Sequence, residues 1–300
     1  MLSKQQISNT EAWVYANARP IEAAKWNLIC GKGSADEVVA EMLKYQNSDG
    51  GFGHGFESDI LTPESSAIAS AEAIFTARDY GLDLNADWGR KLLAWFENTA
   101  ADTPSFWEPV PPSVMDYPHP PWWNYQPDTS FSPNPCAVIA SALFLGTASQ
   151  RTLGEKVTRR CIDFILHDGK LDMHNTYCLQ RLFLALVETN SPLVTAEVTD
   201  AMNLRVFKEA CTDQSKWMKY VAQPLDMVDS PDSYWYGLLK DEIPANLDYW
   251  ESTLDSNGCW VPNFSWGMDT EASRAAIKNW VGYMAVKRVK ILKAFGRVEL

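Results

Sequence analysis

The segment Gln46-Asn47-Ser48-Asp49-Gly50-Gly51-Phe52-Gly53-His54-Gly55-Phe56-Glu57-Ser58-Asp59 limits what this chain can fold into more than any other. Four glycines within Gly50 to Gly55 exclude a helix interior, where each costs about 1 kcal/mol relative to alanine. The segment is therefore a turn. On its N-terminal side Val38, Val39, Met42, Leu43 and Tyr45 recur at helical spacing. On its C-terminal side Thr62-Pro63-Glu64 reads as cap, first-turn proline and first-turn acid, which predicts a helix over 63–80. The unit is helix, glycine-aromatic turn, helix.

A second copy runs from Leu247 to Trp266, where an apolar helix enters Asp255-Ser256-Asn257-Gly258-Cys259-Trp260. Phe96 to Trp107, Phe164 to Leu171 and Phe207 to Trp217 are fainter copies, so the chain reads as an irregular array of helical hairpins. In the second copy Glu251 or Asp255 stands where a glutamine equivalent to Gln46 would be. Helices are predicted over 8–30 (capped at Asn9 or Thr10 and broken at Pro20), 35–46, 86–99, 135–149, 152–166, 175–189, 194–211, 243–254 and 272–295. No segment alternates as a strand would.

Residues 100–133 hold nine prolines together with Phe106, Trp107, Tyr117, Trp122, Trp123, Tyr125 and Phe131. The prolines exclude regular structure, yet disordered linkers lack such aromatics. The stretch is expected to be an ordered loop laid over a single domain spanning 1–300, and long ordered loops are often lids or binding loops.

The formal charge of −12 argues against nucleic acid as a partner. From Glu271 onward seven Lys/Arg oppose two acids, so that stretch carries +5 and the remainder −17. A basic amphipathic helix of this kind can lie on a membrane or a partner, but a charged, solvated outer face is the commoner case for a closing helix. Six cysteines show no metal-finger spacing, no apolar run is long enough to cross a membrane, and the first residues lack the apolar core of a signal peptide. The expectation is a cytoplasmic protein with reduced thiols. Oligomeric state is left open.

The block Tyr45 to Gly53 resembles the repeat of terpenoid cyclases and protein prenyltransferase β-subunits. The whole chain is similar to bacterial prenyltransferase-like and squalene-cyclase-like proteins, through Ala18-Arg19-Pro20, Gln46 to Pro63, Asp116-Tyr117-Pro118-His119-Pro120-Pro121-Trp122-Trp123, and Asp255 to Trp266. That resemblance implies an all-α fold, an α/α toroid of about five to six irregular hairpins, with a small apolar or isoprenoid-type molecule held in a central cavity. The family's catalytic signatures are not in this sequence: there is no Asp-x-Asp-Asp, no Asp-x-Cys and no Asp-Asp-x-x-Asp. No cofactor motif is read.

In such a toroid the turns at 49–62, 128–135, 168–175, 225–232 and 255–271 would gather at one mouth, and their polar residues are the candidates. His54 and Asp59, with Glu57 beside them, offer an imidazole and two carboxylates for acid/base work, or a turn clasp and helix cap. Asp116 and His119, flanked by Trp122 and Trp123, combine acid, imidazole and π surface, or form a structural plug. Asp172, His174 and Tyr177 open a helix as caps or as acid/base groups. Asp226 and Trp266 complete the set. The four histidines at 54, 119, 167 and 174 are scattered, so no metal site is expected. Carbohydrate-active chemistry through paired carboxylates and a non-catalytic scaffold are the competing functions.

Overall fold

The computed structural model describes every residue except Asp128, Thr129, Gly169 and Leu300. The turns read at 128–135 and 168–175 therefore fall partly outside the described residues. Among those described the fold is all-α, with two isolated bridges, Leu2 to Val298 and Gln46 to Phe52, in place of any sheet. In chain order the helices are α1 (Lys4–Asn17), α2 (Pro20–Ile29), α3 (Ala35–Met42), α4 (Ala67–Tyr80), α5 (Asp87–Thr99), α6 (Pro133–Leu143), α7 (Ala148–His167), α8 (Met173–Glu188), α9 (Ala196–Glu209), α10 (Pro224–Met227), α11 (Tyr236–Leu239), α12 (Ile243–Ser252) and α13 (Glu271–Ala294).

Two compact units emerge: Met42–Glu209, and a second made from both chain ends, Met1–Glu41 with Ala210–Leu300. In the middle unit α6 is the hub. Its sequence, Pro-Asn-Pro-Cys-Ala-Val-Ile-Ala-Ser-Ala-Leu, carries no charge and is apolar on every side, which is the signature of a helix surrounded by others. It packs on α4, α5, α7 and α8, and α9 closes on α7 and α8. Alanines on both α4 and α6 allow close approach. In the other unit α13 packs on α1 and α2. Leu2 then pairs with the chain end, donating to Arg297 O at 2.8 Å and accepting from Glu299 N at 3.0 Å.

Helix starts follow capping chemistry more than periodicity. Ser3 and Gln6 form a reciprocal capping box, so α1 begins well before the expected Asn9 or Thr10. Thr147 and Gln150 do the same for α7. Pro20 separates α1 from α2 as expected, taking the first helical position while Arg19 is extended. The expected helix start at Thr62-Pro63-Glu64 is corrected. α4 begins at Ala67, capped by the Ser66 hydroxyl, because residues 62–66 are used to hold the glycine turn: His54 N donates to Thr62 O and Ser66 N to Phe52 O, each at 3.0 Å.

The two strongest turns are structural copies. Asn47 N donates to Gly51 O at 2.8 Å and Gly50 N to Asn47 O at 3.0 Å; Asp255 N donates to Cys259 O at 2.9 Å and Gly258 N to Asp255 O at 3.0 Å. Gly50 (φ +99°) lies on the α5 backbone, where a Cβ would fall 2.4 Å from Lys91 O. Gly258 (φ +82°) lies on α1, where a Cβ would fall 2.4 Å from Thr10 N. Each turn then buries an aromatic, Phe52 at 0% and Trp260 at 2% exposure. This register places Leu254, not Glu251 or Asp255, opposite Gln46. Gln46 Nε2 donates to Gly50 O and Trp88 O, both at 2.9 Å, and a leucine cannot replace that clasp.

Candidate functional site

In the first turn the polar groups are turned mainly on the turn itself. Asp49 accepts from Gly51 N at 2.9 Å, the Ser65 hydroxyl at 2.8 Å and Trp95 Nε1 at 3.0 Å. His54, at a positive φ of 56°, lies 2.9 Å from Asn47 Oδ1 through Nε2. Since the Asn47 amide nitrogen donates to Pro63 O and Ser65 Oγ, its oxygen is an acceptor and the histidine donates. Glu57 accepts from Asp59 N at 2.8 Å, and Asp59 itself is buried.

Residues 109–125 of the proline-rich stretch pack against this turn. Ile60, Val110 and Val114 form one apolar cluster against which Ile68, Trp123 and Tyr125 pack. Ile68 N donates to Pro109 O at 3.1 Å and Ser113 Oγ to Glu64 Oε2 at 2.6 Å. Trp123 thus packs on the cluster that contains Ile60, the residue after Asp59. His119 has oxygen partners on both nitrogens, Tyr117 O at 2.7 Å and Asn124 Oδ1 at 2.9 Å, while Asp116 and Trp122 are exposed.

A denser cluster surrounds the start of α8. Asp172 caps the helix, accepting from Asn175 N at 2.9 Å. The Thr176 hydroxyl is shared between Asp172 O at 3.0 Å and Glu209 Oε2 at 3.3 Å. Asn175 Oδ1 in turn accepts from Ser132 Oγ and Asn134 N. Burial pushes the Glu209 carboxyl upward, outweighing the Thr176 hydrogen bond, and the Asp172 charge adds to the rise. Burial also lowers the His174 imidazole against the opposing pull of Asp172. His174 is nonetheless exposed to solvent. Its ring meets Tyr177 edge-on at 6.2 Å. The acid is raised and the base lowered, so each shift favours the neutral form of its group.

One residue before Ser132, Phe131 lines a cleft of about 350 Å³ with Arg160, Asp163, Phe164, His167 and Asp168. Arg160 lies over the Phe131 ring at 5.3 Å and pairs with Asp163 at 2.9 Å. Arg205 lies over Phe164 at 5.2 Å and donates to Asp168 O and Lys170 O. The cleft thus sets two aromatic rings beside a guanidinium, an imidazole and the carboxylates of Asp163 and Asp168.

In the other unit Asp226 is engaged twice, by Gln223 N at 3.0 Å and by Lys287 Nζ at 3.3 Å, and Trp266 is buried. Asp229 is held by the Ser233 hydroxyl at 2.6 Å. Among the described residues no three His, Cys, Asp or Glu side chains are placed to hold a metal ion, and no helix is long and apolar enough to cross a membrane. Glu209, Arg205, Arg160 and Phe164 are not among the site candidates singled out from the sequence, and Phe131 stands there as one aromatic of the proline-rich loop. Glu209 sits at the end of a predicted helix with nothing local to mark it, and its burial comes from α8.

No known protein-family pattern matches this sequence, and no curated protein does either. Among solved structures it is similar to the type II terpene cyclase MstE from Scytonema. A substituted variant of that enzyme in complex with geranylgeranyl dihydroxybenzoate aligns at 10% identity over 98% of both chains, with a TM-score of 0.53. The apo enzyme aligns at 11% identity over 98% of this chain and 100% of that one, with a TM-score of 0.50. The chain therefore has the helical fold of a type II terpene cyclase.

Proposed function

We propose that this protein binds an isoprenoid-type small molecule, with Asp172, His174, Tyr177 and Glu209 as its polar contacts. The observation that carries this reading is the end-to-end fold match with a cyclase solved around a geranylgeranyl-bearing substrate.

The chemistry open to the bound molecule follows from the acids present. Protonating an alkene requires a strong acid, and the tetrad used for that purpose is absent from the sequence. Glu209, raised by burial, is a weaker acid than an ordinary glutamate. It suits exchanging a hydrogen bond with a hydroxyl or carbonyl oxygen of a ligand and does not suit starting a carbocation cascade. The function so derived is recognition of the ligand, with hydrogen bonding at its polar end.

Titration of intrinsic tryptophan fluorescence with geranylgeranyl dihydroxybenzoate and with geranylgeraniol tests it. Saturable binding in the micromolar range is expected, weakened at least fivefold by His174→Ala for the ligand with the polar head. Absence of saturation with either compound would sink the reading.

A further inference from the structure

Arg288 of α13 stands in a setting that the preceding site does not use. Its guanidinium carbon lies 4.6 Å from the ring centre of Trp250 and 5.6 Å from that of Trp260. Both indoles are fixed. Trp250 Nε1 donates to Gln223 Oε1 at 2.7 Å, Trp260 Nε1 to Trp250 O at 2.8 Å, and each ring is almost wholly buried.

A guanidinium has five N–H donors and no acceptor. Arg288 makes no hydrogen bond or ion pair with any described residue, whereas other arginines of this unit are matched: Arg19 with Glu22, Arg274 with Asp269, and Arg297 with Asp248 and Glu251. The carboxylate that acts on Arg288 is Asp226, whose two oxygens are already committed to Gln223 N and Lys287 Nζ. Burial lowers the Arg288 pKa to about 10, so the group stays charged at neutral pH.

The Arg288 donors meet no acceptor among the described residues, and a planar oxyanion can take the fork of two N–H groups in charge-assisted hydrogen bonds. Lys287 offsets Asp226, so the immediate surroundings do not repel an anion. Arg288 also keeps some exposed surface through which a ligand can arrive.

We infer that Arg288, lying against the rings of Trp250 and Trp260, is a receptor for a carboxylate or phosphate group of a small molecule. The fork supplies two parallel hydrogen bonds, and the indole faces hold the guanidinium plane and exclude water. The inference does not depend on the ligand being an isoprenoid.

The test uses the full chain at constant ionic strength, titrated separately with sodium benzoate and inorganic phosphate by isothermal calorimetry. Saturable binding of at least one anion in the millimolar range is expected, at least tenfold weaker in Arg288→Met and at least threefold weaker in Arg288→Lys, which keeps the charge but loses the fork. Preference for benzoate would mark the site as carboxylate-binding, and preference for phosphate as phosphate-binding. Should Arg288→Met fail to fold, Arg288→Lys decides. Absence of saturation with both anions, or an unchanged affinity in the lysine variant, would overturn the assignment.

Discussion

Replacing Gly50 by alanine tests the account of the glycine turn at its tightest point. Two costs add. A non-glycine residue in the left-handed region costs about 1–2 kcal/mol, and Gly50 has φ +99°. Its new Cβ would also meet Lys91 O at 2.4 Å and Lys91 C at 2.8 Å, backbone atoms of α5 that cannot rotate away. Relieving such a contact costs about 1–3 kcal/mol more. Gly81 supplies the control: it ends α4 at φ +67° with nothing within 4 Å of an added methyl, so Gly81→Ala reports the backbone term alone. Urea unfolding followed by circular dichroism should show Gly50→Ala losing about 2–5 kcal/mol and Gly81→Ala about 1 kcal/mol. Gly258→Ala, placed against Thr10 N at 2.4 Å, should match Gly50→Ala. Equal losses at Gly50 and Gly81 would refute the close approach of turn and helix.

Three other perturbations follow from the same geometry. Glu22 is fully buried and bound in a fork by Arg19, with N–O distances of 2.9 and 2.8 Å; Arg19→Met should cost about 3 kcal/mol in urea unfolding, and adding Glu22→Gln should recover some of it. A double variant no better than the single one would contradict the pairing. Because the Glu209 pKa is raised in the folded state, the native chain holds a proton that the unfolded chain has already released. Stability should therefore fall as pH rises from the ordinary glutamate range to the higher native value. Melting temperatures across pH 4 to 8 should be flatter for Glu209→Gln, and parallel curves would show that Glu209 is not shifted. Trp107 is buried and donates to Phe96 O at 2.9 Å, so Trp107→Phe should cost about 1–3 kcal/mol, while exposed Trp122→Ala stays within about 0.5 kcal/mol.

Much of the helical framework was legible because its signals are local. Gly50 to Gly55 could only be a turn, Pro20 could only divide one helix from the next, and α6 announces its burial by having no polar face. The start of α4 was misread for a reason also visible in the structure: Thr62-Pro63-Glu64 carries every local mark of a helix start, but the carbonyls and amides of residues 62–66 are bound to the turn that precedes them. The second turn's register was hidden for a similar reason. Its hydrogen bonds repeat those of the first, while the side chain at the Gln46 position became Leu254. Asp172 and His174 were found as helix-opening residues, yet Glu209 was not, since its shift is produced by the packing of α8, far from it in sequence. Arg288 looked like one charge of a basic outer face. Only the placement of Trp250 and Trp260 distinguishes it from its neighbours.

The central claim is that the chain binds an isoprenoid-type molecule, and native mass spectrometry of the gently purified protein tests it most directly, with extraction and identification of what co-purifies and a competition between geranylgeraniol and a panel of oligosaccharides. The account predicts a one-to-one complex with the isoprenoid and none with the sugars. A stable sugar complex, with geranylgeraniol unbound at concentrations well above the micromolar range, would contradict it.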